Sequence, residues 1–174
     1  MMVTAELIRE TLRYSPIVGV FEWRKAGRRV RVGGLAGAVV KSSGYVRIVI
    51  GGKPYPAHRL AWLYMTGEWP AQDIDHIDGD RSNNAWNNLR EASASTNGWN
   101  KKVLKTNKSG IKGLTQHKET GRWQARFEAN GAVWSAMFAT KSEAEKEMRV
   151  KREEVHGEFA NHGQHRFEQE ENKD

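Results

Sequence analysis

The sequence contains no cysteine. Disulfides, thiolate nucleophiles and Cys-ligated structural zinc are therefore excluded, the chain must be held by packing alone, and a reducing compartment is expected, with the cytoplasm as the default. Long apolar runs are missing too. Runs such as residues 36–40 fall far short of the ~20 residues that a membrane span needs. A secretory signal does not fit either, because Glu6, Arg9, Glu10 and Arg13 interrupt the amino-terminal stretch. Apolar residues make up only 38% of the 174 positions, which predicts a modest core. The chain nevertheless carries 7 Trp, 5 Phe and 4 Tyr, residues in which disordered chains are poor, so one ordinary domain or two small ones are expected.

Acidic residues are outnumbered, 21 against 28 Lys and Arg, for a formal charge of +7. The excess is not spread evenly. Residues 1–105 hold 16 basic and 9 acidic side chains, residues 106–142 hold 6 and 2, and residues 143–174 hold 6 and 10. Such segregation points to one side that faces a polyanion and another that does not. The plainer alternative is a basic composition that only keeps the protein soluble.

Along the chain, Thr4 can cap a short helix running through Arg13, with Leu7, Ile8 and Leu12 on one face. Residues 18–40 are Gly-rich and strand-like, with a basic cluster at Arg24, Lys25, Arg28, Arg29 and Arg31 that suits phosphate contact or a solvated loop equally. Tyr45 to Ile50 alternates as a strand, Gly51-Gly52-Lys53 reads as a hairpin turn, and Ala57 to Met65 reads as a helix. After Gly67 the character changes. Glu68, Asp73, Asp75, Asp78 and Asp80 fall in a stretch without Lys or Arg, and an acidic pocket in a basic protein calls for a cation.

Residues 98–109, with four Lys, lack periodicity and read as a linker whose lysines, Lys101 and Lys102 among them, can ride on a phosphate backbone. Strands are then predicted from Ile111 to Gln116, Arg122 to Ala129 and Ala132 to Phe138, with an Asn130-Gly131 hairpin between the last two. Thr140 and Glu143 form a T-x-x-E capping box for a helix whose apolar stripe would be Ala144, Met148 and Val155. From Gly163 onward the chain reads as a polar, disordered tail.

The chemistry concentrates in residues 74–100, from Ile74-Asp75-His76-Ile77-Asp78-Gly79 through the Asn-rich run to Thr96-Asn97-Gly98-Trp99-Asn100. A carboxylate and an imidazole are adjacent at the end of a short strand, where alternation sends them to different neighbours. A carboxylate is a hard ligand for Mg²⁺, and an imidazole with a pKa near ~6.5 suits proton transfer at neutral pH. The asparagines offer neutral oxygens that can ligate a hard cation or fix an imidazole tautomer. Composition by itself would equally fit an Asp/Asn/Gly turn with an incidental His.

The order AHRLAW, GEWP, IDHIDGDRSNNAWNNLREAS, TNGWN over residues 57–100 resembles the HNH nuclease motif in its phage and homing-endonuclease branch. The resemblance implies a ββα-metal finger at about 70–100 in an α+β protein, with one divalent cation, Mg²⁺ or else Mn²⁺. It makes Asp75 a metal ligand, His76 the general base, Asn88 the central Asn that holds the loop and orients His76, and Asn97 the second metal ligand. Asn84 and Asn87 remain alternatives for the central place, and Asn100 could end the helix or touch DNA. His58 and Arg59 also match, His58 as a structural residue and Arg59 within reach of a phosphate. His117, His156, His162 and His165 lack a metal spacing.

A second resemblance covers about residues 108–162. SGIKGL, TGRWQAR, FATKSEA and HGEFA look like an AP2-type DNA-binding domain, which implies a three-stranded sheet in the major groove backed by a helix. Gln124, Arg126 and Glu128 alternate to one face, Trp123, Ala125 and Phe127 to the other, and Lys112, Thr115, His117 and Trp134 stand where members of that family contact DNA. Arg126 and Glu128 could instead form a same-face ion pair.

Together these features predict a nuclease domain at 1–100, a basic linker at 101–108, an AP2-like reader at 109–162 and a tail at 163–174. The expected partner is double-stranded DNA, without a small-molecule cofactor, cut by a monomer that nicks or a dimer that cuts both strands. The rival readings are a DNA-binding regulator with a vestigial finger and a phage packaging or restriction nuclease.

Overall fold

The computed structural model describes residues 3–27, 30–93, 96, 107–129 and 131–160. The chain divides into two compact units, residues 1–92 and 93–174. Among the described residues it is a mixed α/β protein whose strands form four small antiparallel sheets. No described helix is long and apolar enough to cross a membrane.

The first unit opens with α1 (Ala5–Thr11), whose Thr4 side chain accepts from the Leu7 amide. The helix stops short of the expected Arg13. Leu12 turns extended and begins β1 (Leu12–Ser15), because pairing with β2 (Val20–Trp23) places both Leu12 and Tyr14 in the core. Two further strands, β3 (Leu35–Ala36) and β4 (Ala38–Val39), lead to β5 (Val46–Ile50) and β6 (Lys53–Pro56). β5 and β6 form the expected hairpin, with Gly51 and Gly52 both at positive φ as its two central residues require.

Helix α2 (Ala57–Thr66) ends at Gly67, which takes the left-handed conformation and returns its amide to the Leu63 carbonyl. It buries Ala57, His58, Leu60, Ala61 and Leu63. Ala57, Leu60, Ala61 and Leu63 share one core with Ile8, Leu12, Tyr14, Phe21, Ile48, Ile74 and Leu89, so residues from every sheet of this unit meet in the same cluster as the helix. The last sheet is the ladder of β7 (Asp73–His76) and β8 (Leu89–Ala92), with a single 3-10 turn at Trp86–Asn88 leading into β8.

In the second unit β9 (Leu114–Gln116), β10 (Trp123–Ala129) and β11 (Ala132–Phe138) form a sheet in the order β11-β10-β9. Helix α3 (Lys141–His156) starts with the complete Thr140/Glu143 capping box. Leu114, Ala125, Ala144 and Met148 make a small core between sheet and helix. β9 begins later than the expected Ile111, since Gly113 sits at φ +76 and its carbonyl accepts the Arg126 amide. The helix stripe also needs correction: Val155 is 43% exposed, whereas Arg152 is 2% exposed. Its guanidinium donates to the Lys112 carbonyl at 2.7 Å and lies over the Phe127 ring, so a long side chain fills the place that an aliphatic one was expected to take. The tail and most of the linker fall outside the described residues.

Candidate active site

Strand β7 sets out the reactive groups. Asp73 is exposed, while Ile74, Asp75 and His76 are buried. Opposite them on β8, Arg90 is the register partner of Asp75 and Leu89 that of His76. Arg90 donates from Nε and Nη2 to Oδ2 of Asp75 at 3.0 and 2.9 Å. The pair is nearly dry, with side-chain exposures of 12% and 6%.

The imidazole of His76 is 3% exposed. Its Nε2 lies 3.2 Å from Oδ1 of Asn84. Burial holds its pKa below the ordinary histidine value, against the opposing effects of the Asn84 hydrogen bond and the Asp78, Asp75 and Asp80 carboxylates. That shift favours the uncharged imidazole. His58 on α2 packs edge-on against it, ring centroids 5.1 Å apart, and Tyr45 lies 5.0 Å from His58 and 5.9 Å from His76. Burial, then the neighbouring His76 and Arg59, push His58 down to about 3. His58 contacts the finger through its ring; its Nδ1 is buried without a hydrogen bond.

The loop from 77 to 88 is closed by its own polar side chains. Asn88 accepts the Asp78 amide and donates to Asp78 Oδ1 and the Asn83 carbonyl, and its backbone carbonyl accepts the Ile77 amide. Asn83 donates to Asp78 Oδ2 and accepts the Ala85 amide. Asp80 accepts from the Ser82 amide and hydroxyl. Asp78 and Asp80 are thus engaged in shaping the loop. The Asn88 side chain is bonded within the loop, whereas the side chain next to His76 belongs to Asn84. Of the three candidates for the central place, Asn84 and Asn88 are buried and Asn87 is exposed, and nothing in their spacing distinguishes them beforehand.

This loop is braced by a segment that the sequence did not connect with it. The Tyr14 hydroxyl donates to the Asn84 carbonyl at 2.6 Å, and the Trp86 amide donates to the Pro16 carbonyl. Gly19, at φ +75, runs so close that a Cβ there would overlap the Asn84–Ala85 backbone. Arg81 donates to the Ser43 carbonyl and stacks on Tyr45, 4.8 Å from its centroid.

Among the described residues no group of three His, Cys, Asp or Glu side chains could cage a metal. A hard cation such as Mg²⁺ binds through one or two carboxylates, keeps several waters and completes its shell with substrate phosphate. Asp75, a buried hard-oxygen donor, fits such an ion. Its expected companion Asn97 lies outside the described residues, as do Arg28, Arg29, Lys101 and Lys102. Arg31 is exposed, and Arg59 lies over the Trp69 ring.

In the second unit Thr115, Gln124, Arg126 and Glu128 share the sheet face opposite α3 and, with Gly113 and Phe127, line a groove of about 310 Å³. No ion pair joins Arg126 with Glu128 among the described residues. The register corrects one expected member: Trp134 pairs with Phe127 and packs with it toward the core under α3. His117 is exposed at the β9–β10 turn, and Lys112 is half-buried with its carbonyl held by Arg152.

A buried Asp-His pair on a short antiparallel ladder, closed by an Asn-rich loop, defines the class. Residues 55–99 match the HNH endonuclease family and form an HNH endonuclease domain. The chain belongs to the same family as Protein 3.8 of Escherichia phage T7, with 38% identity over 104 residues, which covers 59% of this chain and 86% of that protein. No solved structure matches it.

Proposed function

We propose that this protein is a divalent-metal-dependent DNA endonuclease, a nicking homing endonuclease of phage or mobile-element origin, that leaves 5′-phosphate and 3′-hydroxyl ends. The observation that carries the reading is the buried imidazole of His76 held beside Asp75 on one strand, its pKa held below the ordinary histidine value by burial. A base kept neutral at physiological pH can accept a proton from water as it attacks a phosphodiester. His76 takes that proton, Asn88 keeps the loop closed so that the imidazole stays in place, and Arg90 orients Asp75. Asp75, with Asn97, would hold Mg²⁺ or Mn²⁺. Bound there, the cation would neutralise phosphate charge and stabilise the leaving oxygen.

The sheet of the second unit is the proposed reader, in the manner of AP2-type domains. Thr115, Gln124, Arg126 and Glu128 present donors and acceptors on one exposed face, with Lys112 and His117 at its border. Arg can grip guanine and Glu can accept from cytosine N4. Arg28, Arg29, Arg31, Arg59, Lys101 and Lys102 would contact phosphates, which position without specifying.

The test is incubation of the purified chain with supercoiled plasmid, with and without Mg²⁺. Conversion to open circles that DNA ligase reseals supports nicking with the stated ends. A linear product shows cutting of both strands, and unchanged plasmid at every metal concentration supports a DNA-binding regulator instead.

A further inference from the structure

We propose that Asn84 is a positioning residue that fixes the tautomer of His76, so that Nδ1 is the nitrogen that takes the proton, and that the turn at residues 16–19 exists to hold Asn84 in place. The proposal rests on the nuclease reading of the finger. An amide oxygen carries no hydrogen and can only accept, so a hydrogen bond between Asn84 Oδ1 and His76 Nε2 requires the proton on Nε2. In a neutral imidazole the lone pair is then on Nδ1. The amide cannot turn over without loss, because its Nδ2 donates to the Ser82 carbonyl at 2.9 Å. A flipped group would set oxygen against that carbonyl oxygen and NH₂ against the protonated nitrogen.

Asn84 is itself immobilised. It is 1% exposed. Its carbonyl accepts the Tyr14 hydroxyl at 2.6 Å, and Tyr14 is stacked on Phe21 with centroids 4.7 Å apart. The Gly19 backbone fits against Asn84 and Ala85 where no side chain could, and Pro16 accepts the next amide but one, that of Trp86. The β1–β2 hairpin thus acts on the base through one asparagine, from a segment outside the 55–99 family match. Asn88, whose amide is spent on Asp78 and Asn83, serves the loop.

The experiment is long-range ¹H–¹⁵N spectroscopy of the metal-free full-length protein, at a pH well above the histidine range, joined to steady-state cleavage kinetics with Mg²⁺. The wild type is expected to show His76 protonated on Nε2. Asn84→Ala is expected to show mixed tautomers and a kcat lower by about 10–100-fold at unchanged KM. Asn84→Asp, which keeps an acceptor oxygen toward Nε2, is expected to retain the Nε2–H signature. A wild-type His76 protonated on Nδ1 overturns the proposal, whether or not any variant folds. Wild-type kcat in Asn84→Ala also overturns it while leaving the nuclease reading intact. A wild type that shows the Nε2–H form but cuts no DNA with any divalent cation overturns the nuclease reading and the base role with it.

Discussion

Arg90 presents Nε and Nη2 to a single oxygen of Asp75 from directly across the β7–β8 ladder, at 3.0 and 2.9 Å, where both side chains are nearly excluded from water. Removing one partner of such a pair leaves a buried charge uncompensated. Arg90→Ala is expected to destabilise the first unit by about 3–5 kcal/mol in urea unfolding, with Asp75→Asn in the same background recovering part of the loss. A cost under about 1 kcal/mol would mean that water reaches the pair as it does an exposed one.

His58 gives the fold an acid-sensitive element. Its pKa is depressed to about 3 in the folded protein against an ordinary 6.5, so between these values the unfolded chain binds the extra proton. Stability is therefore full above about pH 6.5 and falls as pH drops toward 3, by up to about 1.4 kcal/mol per unit from this group. His76, depressed in the same direction, adds to the slope. His58→Phe, which keeps a ring against Tyr45 and His76, is expected to shrink the loss between pH 6.5 and 4, as measured by chemical denaturation. An unchanged slope would place the titrating group elsewhere.

Two glycines of similar φ separate conformational strain from close approach. Gly52, at φ +80, has nothing within 4 Å of a built Cβ, whereas Gly19, at φ +75, would drive one into the Asn84–Ala85 backbone. Gly52→Ala is expected to cost about 1 kcal/mol, the lower end of left-handed strain, and Gly19→Ala clearly more, with kcat reduced as Asn84 is displaced. Equal costs would remove the hairpin from any role in bracing the loop.

On the sheet face of the second unit, Arg126→Ala is expected to weaken binding at a preferred site by about 1–3 kcal/mol and to relax one base position. Binding curves on target and scrambled duplexes at several salt concentrations distinguish this from a phosphate contact. A phosphate contact would weaken all sequences alike and lower the salt slope by roughly one unit.

Where one local rule decided the outcome, the fold could be read from the residues. The Thr140/Glu143 box set the start of α3, Gly51-Gly52 closed β5 on β6, and alternation put Arg126 and Phe127 on opposite faces. Reading failed where tertiary contacts compete with local preference. Leu12 left the helix because a strand buries it with Tyr14, and Arg152 displaced Val155 from the core because the Lys112 carbonyl satisfies its guanidinium. At the site, adjacency marked Asp75 and His76. The surrounding Tyr14, Gly19, Tyr45, His58 and Asn84 come from separate segments, and pairing across 70 residues, as for Tyr14 and Asn84, leaves no periodic trace.

The central claim is that His76 takes the proton from water during metal-dependent cleavage. Its most direct test is the single-turnover cleavage rate of His76→Ala beside wild type, on the same saturating DNA with Mg²⁺, with DNA affinity measured in parallel. The account predicts a rate lower by about 10²–10⁴-fold at unchanged affinity. A rate within about tenfold of wild type at neutral pH would contradict it, since that is less than a general base contributes.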